Sequence, residues 1–361
     1  MPSTVTDHRS NVVGLLGQLA STTNADPSLV KRLNAVIDLL EKPEDKSRPF
    51  LTVLLRTQGK RLEPLKDALL CLVGQTDQDF EVVVLAHNAE PAAASEIRAA
   101  VDGQPPEFLK KVRLIEVVGG TRAKPLNVGV QAAEGRYLSI YDDDDLLFAN
   151  WVEEFHRASE AAGGRALRAL VANQSVVPEQ WPNGAPGFRT SSWPKVEFPV
   201  NFDQVRHLLV NGSPFMSWAF PRRLFTMYGF RFDEELLVCE DWDVILRGSL
   251  LCGVEEIGAL TSIYRRWQGG ESSYTSHSSE AWQHSEQRVI DRTDASILLM
   301  PVGSMANLRR LALLDDAWKR YSFLFAGNQL RQPLDAMWVA AAPVVKLGVR
   351  MFKRIRRAIK R

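Results

Sequence analysis

Tyr137-Leu138-Ser139-Ile140-Tyr141-Asp142-Asp143-Asp144-Asp145 joins a short apolar run to four consecutive carboxylates, and the fold is read outward from that junction. Residues 137 to 140 have the character of a buried strand, so the acidic cluster falls at a strand's carboxyl end. Leu146-Leu147-Phe148 follows at once and draws the carboxylates toward a core edge rather than into open solvent. Hard divalent ions such as Mg²⁺ and Mn²⁺ take oxygen ligands, usually one or two carboxylates together with substrate phosphates. The cluster is therefore expected to be a cation site.

Upstream of it, Leu51-Thr52-Val53-Leu54-Leu55 and Glu81-Val82-Val83-Val84-Leu85 read as buried strands, separated by a helical segment over Leu62 to Val73. A third strand is predicted over Val112 to Val118, followed by Gly119-Gly120 and a helix from Pro125 to Ala133 that leads into the acidic strand. Strands alternating with helices at this spacing predict a mainly parallel α/β sheet with helices on both faces. Ligands of such sheets bind beyond the carboxyl ends of the strands, which is where the aspartates stand. Beyond Trp151 the pattern loosens. Residues 174–200 read as a long connection, Phe215 to Phe220 as a strand, Asp241 to Leu251 as a helix, and Ser262 to Arg266 as a short strand.

Composition sets the frame. A chain of 361 residues with 45% hydrophobic content buries a full core and is not expected to be disordered. Cys71, Cys239 and Cys252 are widely spaced in apolar contexts, as expected of buried thiols in a reducing compartment. Met1 to Ser10 shows no secretory pattern, and no apolar run reaches the roughly 18 residues of a spanning helix. The division expected is a helical extension over 1–48, an α/β domain over 49–275 and a helical region over 276–361. The formal charge of +1 hides a basic tail: Lys346, Arg350, Lys353, Arg354, Arg356, Arg357, Lys360 and Arg361 have no acidic neighbour among them. Apolar residues from Val344 to Ile359 recur there at helical spacing, the pattern of an amphipathic helix lying in a membrane interface. Nucleic acid is not expected as its partner, since Phe352 alone offers a stacking position. A helix packed on the acidic body of its own chain is the competing reading.

Four segments, read in order, resemble a family-2 glycosyltransferase of the GT-A type over residues 49–275. These are the strand and turn Leu51 to Lys60; the helix and turn Leu69 to Phe80; Arg122 with Leu126-Asn127-Val128-Gly129; and Asp142-Asp143-Asp144-Asp145 with the later Glu240-Asp241-Trp242-Asp243. The resemblance implies a Rossmann-like GT-A fold, a nucleoside-diphosphate sugar donor, a glycan or lipid-linked acceptor, and Mn²⁺ or Mg²⁺ as cofactor. It implies donor contacts from Arg56, Thr57, Gln58, Arg122, Asn127, Asp142 and Asp143. Asp144 would ligate the ion, with Asp142 beside it and Asp145 as a further partner. Such an ion stabilises the charge that grows on the diphosphate as the anomeric bond breaks. Asp241 is the expected base for the acceptor hydroxyl, with Glu240 as a weaker candidate; an Asp at a helix start also serves as a cap.

The sequence departs from the family in two places. After the second strand it has Ala86-His87-Asn88, where relatives often carry acidic residues; His87 and Asn88 stand as base contacts or as structural groups. Tyr264-Arg265-Arg266-Trp267 occupies the place of a metal-binding His, and Arg265 and Arg266 stand as diphosphate ligands or as surface charges. Trp193, in the long loop, is a candidate acceptor wall, whereas Trp218 reads as core. The reading as a whole is a metal-dependent, inverting glycosyltransferase of cell-surface polysaccharide or glycolipid synthesis, held at the inner face of the cytoplasmic membrane. Nucleotidyl transfer on the same fold and a silent sugar-nucleotide-binding module are its rivals.

Overall fold

The computed structural model describes residues 8–22, 26–41, 45–182, 184, 186–269, 277–296, 298, 300, 301 and 303–321. The basic tail of the sequence reading lies outside the described residues. The chain divides into two compact units, Met1–Val302 and Gly303–Arg361. The first holds α1 (His8–Ser21), α2 (Pro27–Glu41), β1 (Leu51–Thr57), α3 (Leu62–Val73), β2 (Phe80–His87), α4 (Pro91–Asp102), α5 (Pro106–Leu109), β3 (Val112–Val117), α6 (Ala123–Ala132), β4 (Tyr137–Asp142), β5 (Leu146–Leu147) and α7 (Trp151–Ala162). It continues with β6 (Ala166–Gln180), β7 (Pro186–Thr190), α8 (Gln204–Leu209), a 3₁₀ turn at Phe215–Ser217, β8 (Trp218–Pro221), α9 (Arg223–Thr226), α10 (Glu240–Cys252), β9 (Val254–Trp267) and α11 (Ser279–Asp294). The second unit contributes α12 (Ser304–Tyr321).

Nine strands form one sheet in the order β3-β2-β1-β4-β8-β6-β9-β5, with β7 paired to β6. β3, β2, β1 and β4 run parallel, and β8 enters antiparallel between β4 and β6. Because successive side chains of a strand point to opposite faces, the apolar runs feed two cores. Val53, Leu55, Val82 and Val84 pack with Leu65 and Leu69 of α3, Ile97 of α4, and Trp151 and Phe155 of α7. Leu54, Val83 and Leu85 pack on the other side with Leu126 and Val130 of α6 and with Val244 and Ile245 of α10. Burial on both faces is why these strands read as unbroken apolar runs. Each such side chain taken from water contributes about 1.5–3 kcal/mol.

At the amino ends of the strands the buried carboxylate of Glu81 is a junction. It accepts from Thr52 Oγ1 at 2.6 Å and from the amides of Glu134 and Gly135 at 2.6 and 3.1 Å, and pairs with Arg113 at 2.5 Å. This fixes the entry of β4 beside β1. A Cβ on Gly135 would lie 2.5 Å from the backbone nitrogen of Thr52. Gly135→Ala is therefore expected to cost about 1–3 kcal/mol, the usual penalty for forcing volume into a packed site. It should appear as a lower urea midpoint at unchanged slope. A midpoint equal to the parent's would show that β4 can enter elsewhere.

Two parts of the sequence reading are corrected. Residues 174–200 are not one long connection, because β6 continues to Gln180 and returns as β7 in a hairpin. The 3₁₀ turn replaces the first half of the strand expected over Phe215 to Phe220. The first compact unit also includes α11, which the expected division placed in the carboxyl-terminal region. Ion pairs explain the attachment: Arg288 and Arg292 reach Asp233 at 2.8 and 2.7 Å, and Arg292 reaches Asp243 of α10 at 3.0 Å.

Candidate active site

The chain builds outward from β1 through β2 to β3 on one side and continues from β4 on the other. The topological switch point, where open α/β sheets bind ligands, therefore lies between β1 and β4. Their register sets Arg56 opposite Asp142. Arg56 Nε and Nη2 donate to Asp142 Oδ1 at 3.0 and 2.7 Å, while Nη1 donates to Glu240 Oε1 at 3.0 Å and to the Arg122 carbonyl at 3.1 Å. Arg122 Nε reaches the same Glu240 oxygen at 2.7 Å. One lattice of charge thus joins β1, β4, the loop before α6 and the start of α10. Burial alone would raise the Asp142 carboxyl, but the Arg56 and Arg122 guanidinia outweigh it and hold it below its ordinary value.

The other three aspartates differ. Asp143 Oδ2 accepts from Thr57 Oγ1 at 2.5 Å, and burial with the neighbouring Asp144 charge pushes it up to about 7. Asp144 lies 2.5 Å from Arg61 Nη1; burial raises it, Arg61 opposes the rise, and Asp142 adds to it. Asp145 is raised well above its ordinary value by burial and by Asp144. Its Oδ1 accepts from the backbone N–H of Arg265 at 2.8 Å, so that carboxylate pins the β4–β5 turn to β9. A ligand role for Asp145 does not fit this placement.

Asp142 and Asp144 keep 36% and 18% of their side chains exposed, and mutual repulsion among the carboxylates is what a cation would relieve. Among the described residues no three His, Cys, Asp or Glu side chains are arranged to hold a metal by themselves. The donor set fits a hard divalent ion that completes its shell with substrate oxygens.

Asp241 enters the site through its neighbour. As the second residue of α10 it follows Glu240, whose carboxylate is buried against Arg56 and Arg122. The helix-cap alternative is not what the structure has, because Cys239 holds the cap position. Asp241 Oδ1 accepts from Trp242 N at 2.7 Å and Oδ2 from Asn211 Nδ2 at 3.3 Å. Burial and the Glu240 charge push the carboxyl up to about 6. Cys239 stands at φ 67°, a left-handed conformation that costs a non-glycine residue about 1–3 kcal/mol and recurs at functional sites.

Several predicted contacts are committed elsewhere. Asn127 donates to the Phe232 carbonyl at 3.0 Å and to Glu234 at 2.8 Å, and accepts from Phe232 N at 2.9 Å. It therefore fixes the 232–234 loop on α6 rather than a ligand. Buried His87 lies with Nε2 at 3.1 Å from the Gly119 carbonyl, and Asn88 Oδ1 accepts from Gly119 N at 2.6 Å. Both hold the loop after β3, with Asn88 at φ 50°. Arg265 pairs with Asp67 at 3.1 Å and covers Phe188; Arg266 pairs with Glu197 at 2.9 Å. Gln58 is half-buried beside Thr57. Trp218 is core, and Trp193 is 91% exposed.

Sequence reasoning missed Arg61, which contacts the acidic cluster and lies over the Trp267 ring at 4.9 Å. Its position just before α3 gave no signal, because its partners lie about eighty residues away. It also missed Cys239 and Asn211, whose roles depend on backbone angle and loop placement.

No protein-family model matches the chain. Over 202 residues, 55% of the chain, it is 23% identical to the uncharacterized glycosyltransferase MJ1057 of Methanocaldococcus jannaschii, covering 64% of that protein. Among solved structures it resembles S. aureus TarS 1-349 in complex with UDP-GlcNAc, with a TM-score of 0.51 and 16% identity, covering 67% of this chain and 65% of that one. The chain thus spans less than two thirds of each. The fold is a mixed α/β fold, a curled, mostly parallel sheet flanked by helices, as in the structure of TarS.

Proposed function

We propose that the chain is a glycosyltransferase that takes a sugar from a nucleoside-diphosphate donor, with UDP as the first nucleotide to try, and passes it to a glycan or lipid-linked acceptor with inversion. The observation that carries this is the convergence at one switch point of Asp142 and Asp144 with the Arg56–Glu240–Arg122 lattice, which ties β1 and β4 to the start of α10, where Asp241 follows Glu240. The likeness to MJ1057 and to the UDP-GlcNAc-bound TarS supports the same reading.

In this reading Asp142 and Asp144 would hold Mn²⁺ or Mg²⁺, and the ion would supply Lewis-acid stabilisation to the departing diphosphate. Arg56 is fully engaged and acts as the rigid post that orients Asp142. Asn211 and the Trp242 amide orient the Asp241 carboxylate, which takes the proton from the acceptor hydroxyl as it attacks. Glu240 is an anchor, since its charge is already matched by two arginines. Nucleotidyl transfer would leave a poised carboxylate at Asp241 without a task. The basic tail outside the described residues would hold the chain on an anionic membrane face during polysaccharide or glycolipid synthesis.

A thermal-shift screen of nucleoside diphosphates with and without Mn²⁺ tests this, because a ligand that binds only the folded state raises its melting temperature. UDP with Mn²⁺ is expected to raise it, and UDP-sugar turnover is expected to release free sugar when acceptor is absent. Release of pyrophosphate from UTP in the presence of a sugar 1-phosphate, with no sugar released from the UDP-sugar, would sink the reading in favour of nucleotidyl transfer.

A further inference from the structure

The Arg56 and Arg61 side chains each pair with a carboxylate of the acidic cluster, and they are held in different ways. Arg56 is 10% exposed, shares two donors with Asp142, and spends a third nitrogen on Glu240 and on the Arg122 carbonyl. It is boxed in by aligned hydrogen bonds from three elements. The Arg61 side chain is 30% exposed. Its Nη1 stands 2.5 Å from Asp144 Oδ2, and its Nη2 is 4.0 Å from Asp143. Arg61 is thus held at the cluster by one close nitrogen, where Arg56 is held by three. That single contact is the kind that a second cation displaces.

What surrounds Arg61 favours a second position for it. The Arg61 carbonyl accepts from Leu65 N at 3.2 Å, which ties its backbone to α3, and Thr57 Oγ1 accepts from Gly59 N at 3.0 Å. Its guanidinium carbon lies 4.9 Å from the centre of the Trp267 ring, and a ring face attracts a cation without fixing its orientation. Asp143 cannot follow the guanidinium, because Thr57 holds its carboxylate.

We propose that Arg61 is a diphosphate-binding residue guarded by Asp144: in the free protein its guanidinium takes the cation's place at that carboxylate, and when a divalent ion binds there it turns on Trp267 to the donor's diphosphate. The proposal rests on the sugar-nucleotide reading above. Its chemistry is a charge exchange with no covalent step. Asp144 passes from one cation to another, and the released guanidinium presents its planar fork to paired phosphate oxygens. The cluster so avoids standing uncompensated before the donor arrives, and the donor's diphosphate brings the anion that the freed arginine needs.

Binding of Mn²⁺ alone, followed by electron paramagnetic resonance, and binding of UDP at saturating Mn²⁺, followed by calorimetry, test it on the full chain. Arg61→Gln removes the competing cation and the phosphate ligand together. Mn²⁺ alone is expected to bind it about fivefold or more tightly than the parent, while UDP affinity falls about tenfold or more, the worth of a hydrogen bond to a charged group. Arg61→Lys keeps the charge without the fork. It should bind Mn²⁺ like the parent and still lose UDP affinity. A merely structural role would weaken both ligands in step with the melting temperature. If a folded Arg61→Gln protein binds Mn²⁺ no more tightly than the parent, the guard does not exist and the proposal falls alone. If no nucleoside diphosphate with Mn²⁺ stabilises the parent, the sugar-nucleotide reading falls and takes the proposal with it.

Discussion

An Asp241→Asn protein is expected to bind UDP with Mn²⁺ as the parent does and to transfer sugar about 10²–10⁴ times more slowly, the usual worth of a positioned general base. Asn keeps the shape and an acceptor for the Trp242 amide, and its amide nitrogen can donate to the Asn211 side chain once that amide turns over, so the start of α10 should stay in place. What it loses is the proton acceptor. The parent's pH profile carries a second signature. The carboxyl is pushed up to about 6 by burial and by Glu240, and a base acts only when ionised. The transfer rate should therefore climb with pH through about 6 and level off above it, standing near a tenth of its plateau about one unit below. Asp241→Asn should be slow at every pH. A collapse of UDP affinity in this variant, or a parent profile flat between pH 5 and 8, would place Asp241 in the scaffold instead.

The sheet was legible because its physics is local. Parallel strands covered on both faces must be apolar at every position, so Leu51 to Leu55 and Val82 to Leu85 announce themselves. The carboxyl end of β4 was legible for the opposite reason, since four charges after an apolar run have few places to go. α4 was not read, although Pro91 opens it in the favoured first-turn position. Its buried side is only Ile97, Ala100 and Val101, too faint a stripe among alanines. The β6–β7 hairpin was mistaken for a loop because Pro178, Trp181, Pro182 and Gly184 look like turn chemistry along their whole length, while only the centre of that stretch turns.

The site was half legible, and the division is again physical. Acidic residues show their type in the sequence, so Asp142, Asp144 and Asp241 could be named. Their partners could not, because sequence separation hides them. Arg56 meets Asp142 only because β1 lies beside β4 in a given register, and it meets Glu240 across 184 positions of chain. For the same reason the sequence points Asn127 to the donor and leaves His87 and Arg265 open between ligand contact and structural group. Each has the right chemistry near the right strand end, and each is instead satisfied by a loop or strand that the fold brings to it. Residue type gave the chemistry available, and topology decided which groups were left free to use it.

Arg56→Met should show the cost of undoing that topology. Removing one partner of a buried ion pair leaves an uncompensated charge and costs about 3–5 kcal/mol. Here two carboxylates lose their partner at once. Glu240 is almost fully buried but keeps Arg122; Asp142 retains 36% exposure, and solvent screens it in part. The expected loss is thus near the low end, about 3 kcal/mol at pH 7, read as a fall in the urea midpoint. Its pH dependence follows from the sign of the Asp142 shift. The folded carboxyl lies below its unfolded value, which is about 3.9, so the arginine's stabilising share is present above that value and lost as pH falls through the folded one. The gap between parent and variant should accordingly be narrower at acid pH than at pH 7, because it closes as the folded Asp142 is protonated and no longer needs the guanidinium. Glu240→Gln supplies the control for its own role. An anchor loses stability while the rate per folded molecule changes little, whereas a catalytic Glu240 would lose rate at unchanged stability. Were Arg56→Met as stable as the parent at both pH values, the lattice would not be what holds β1, β4 and α10 together, and the attachment of the start of α10 to β4 would need another cause.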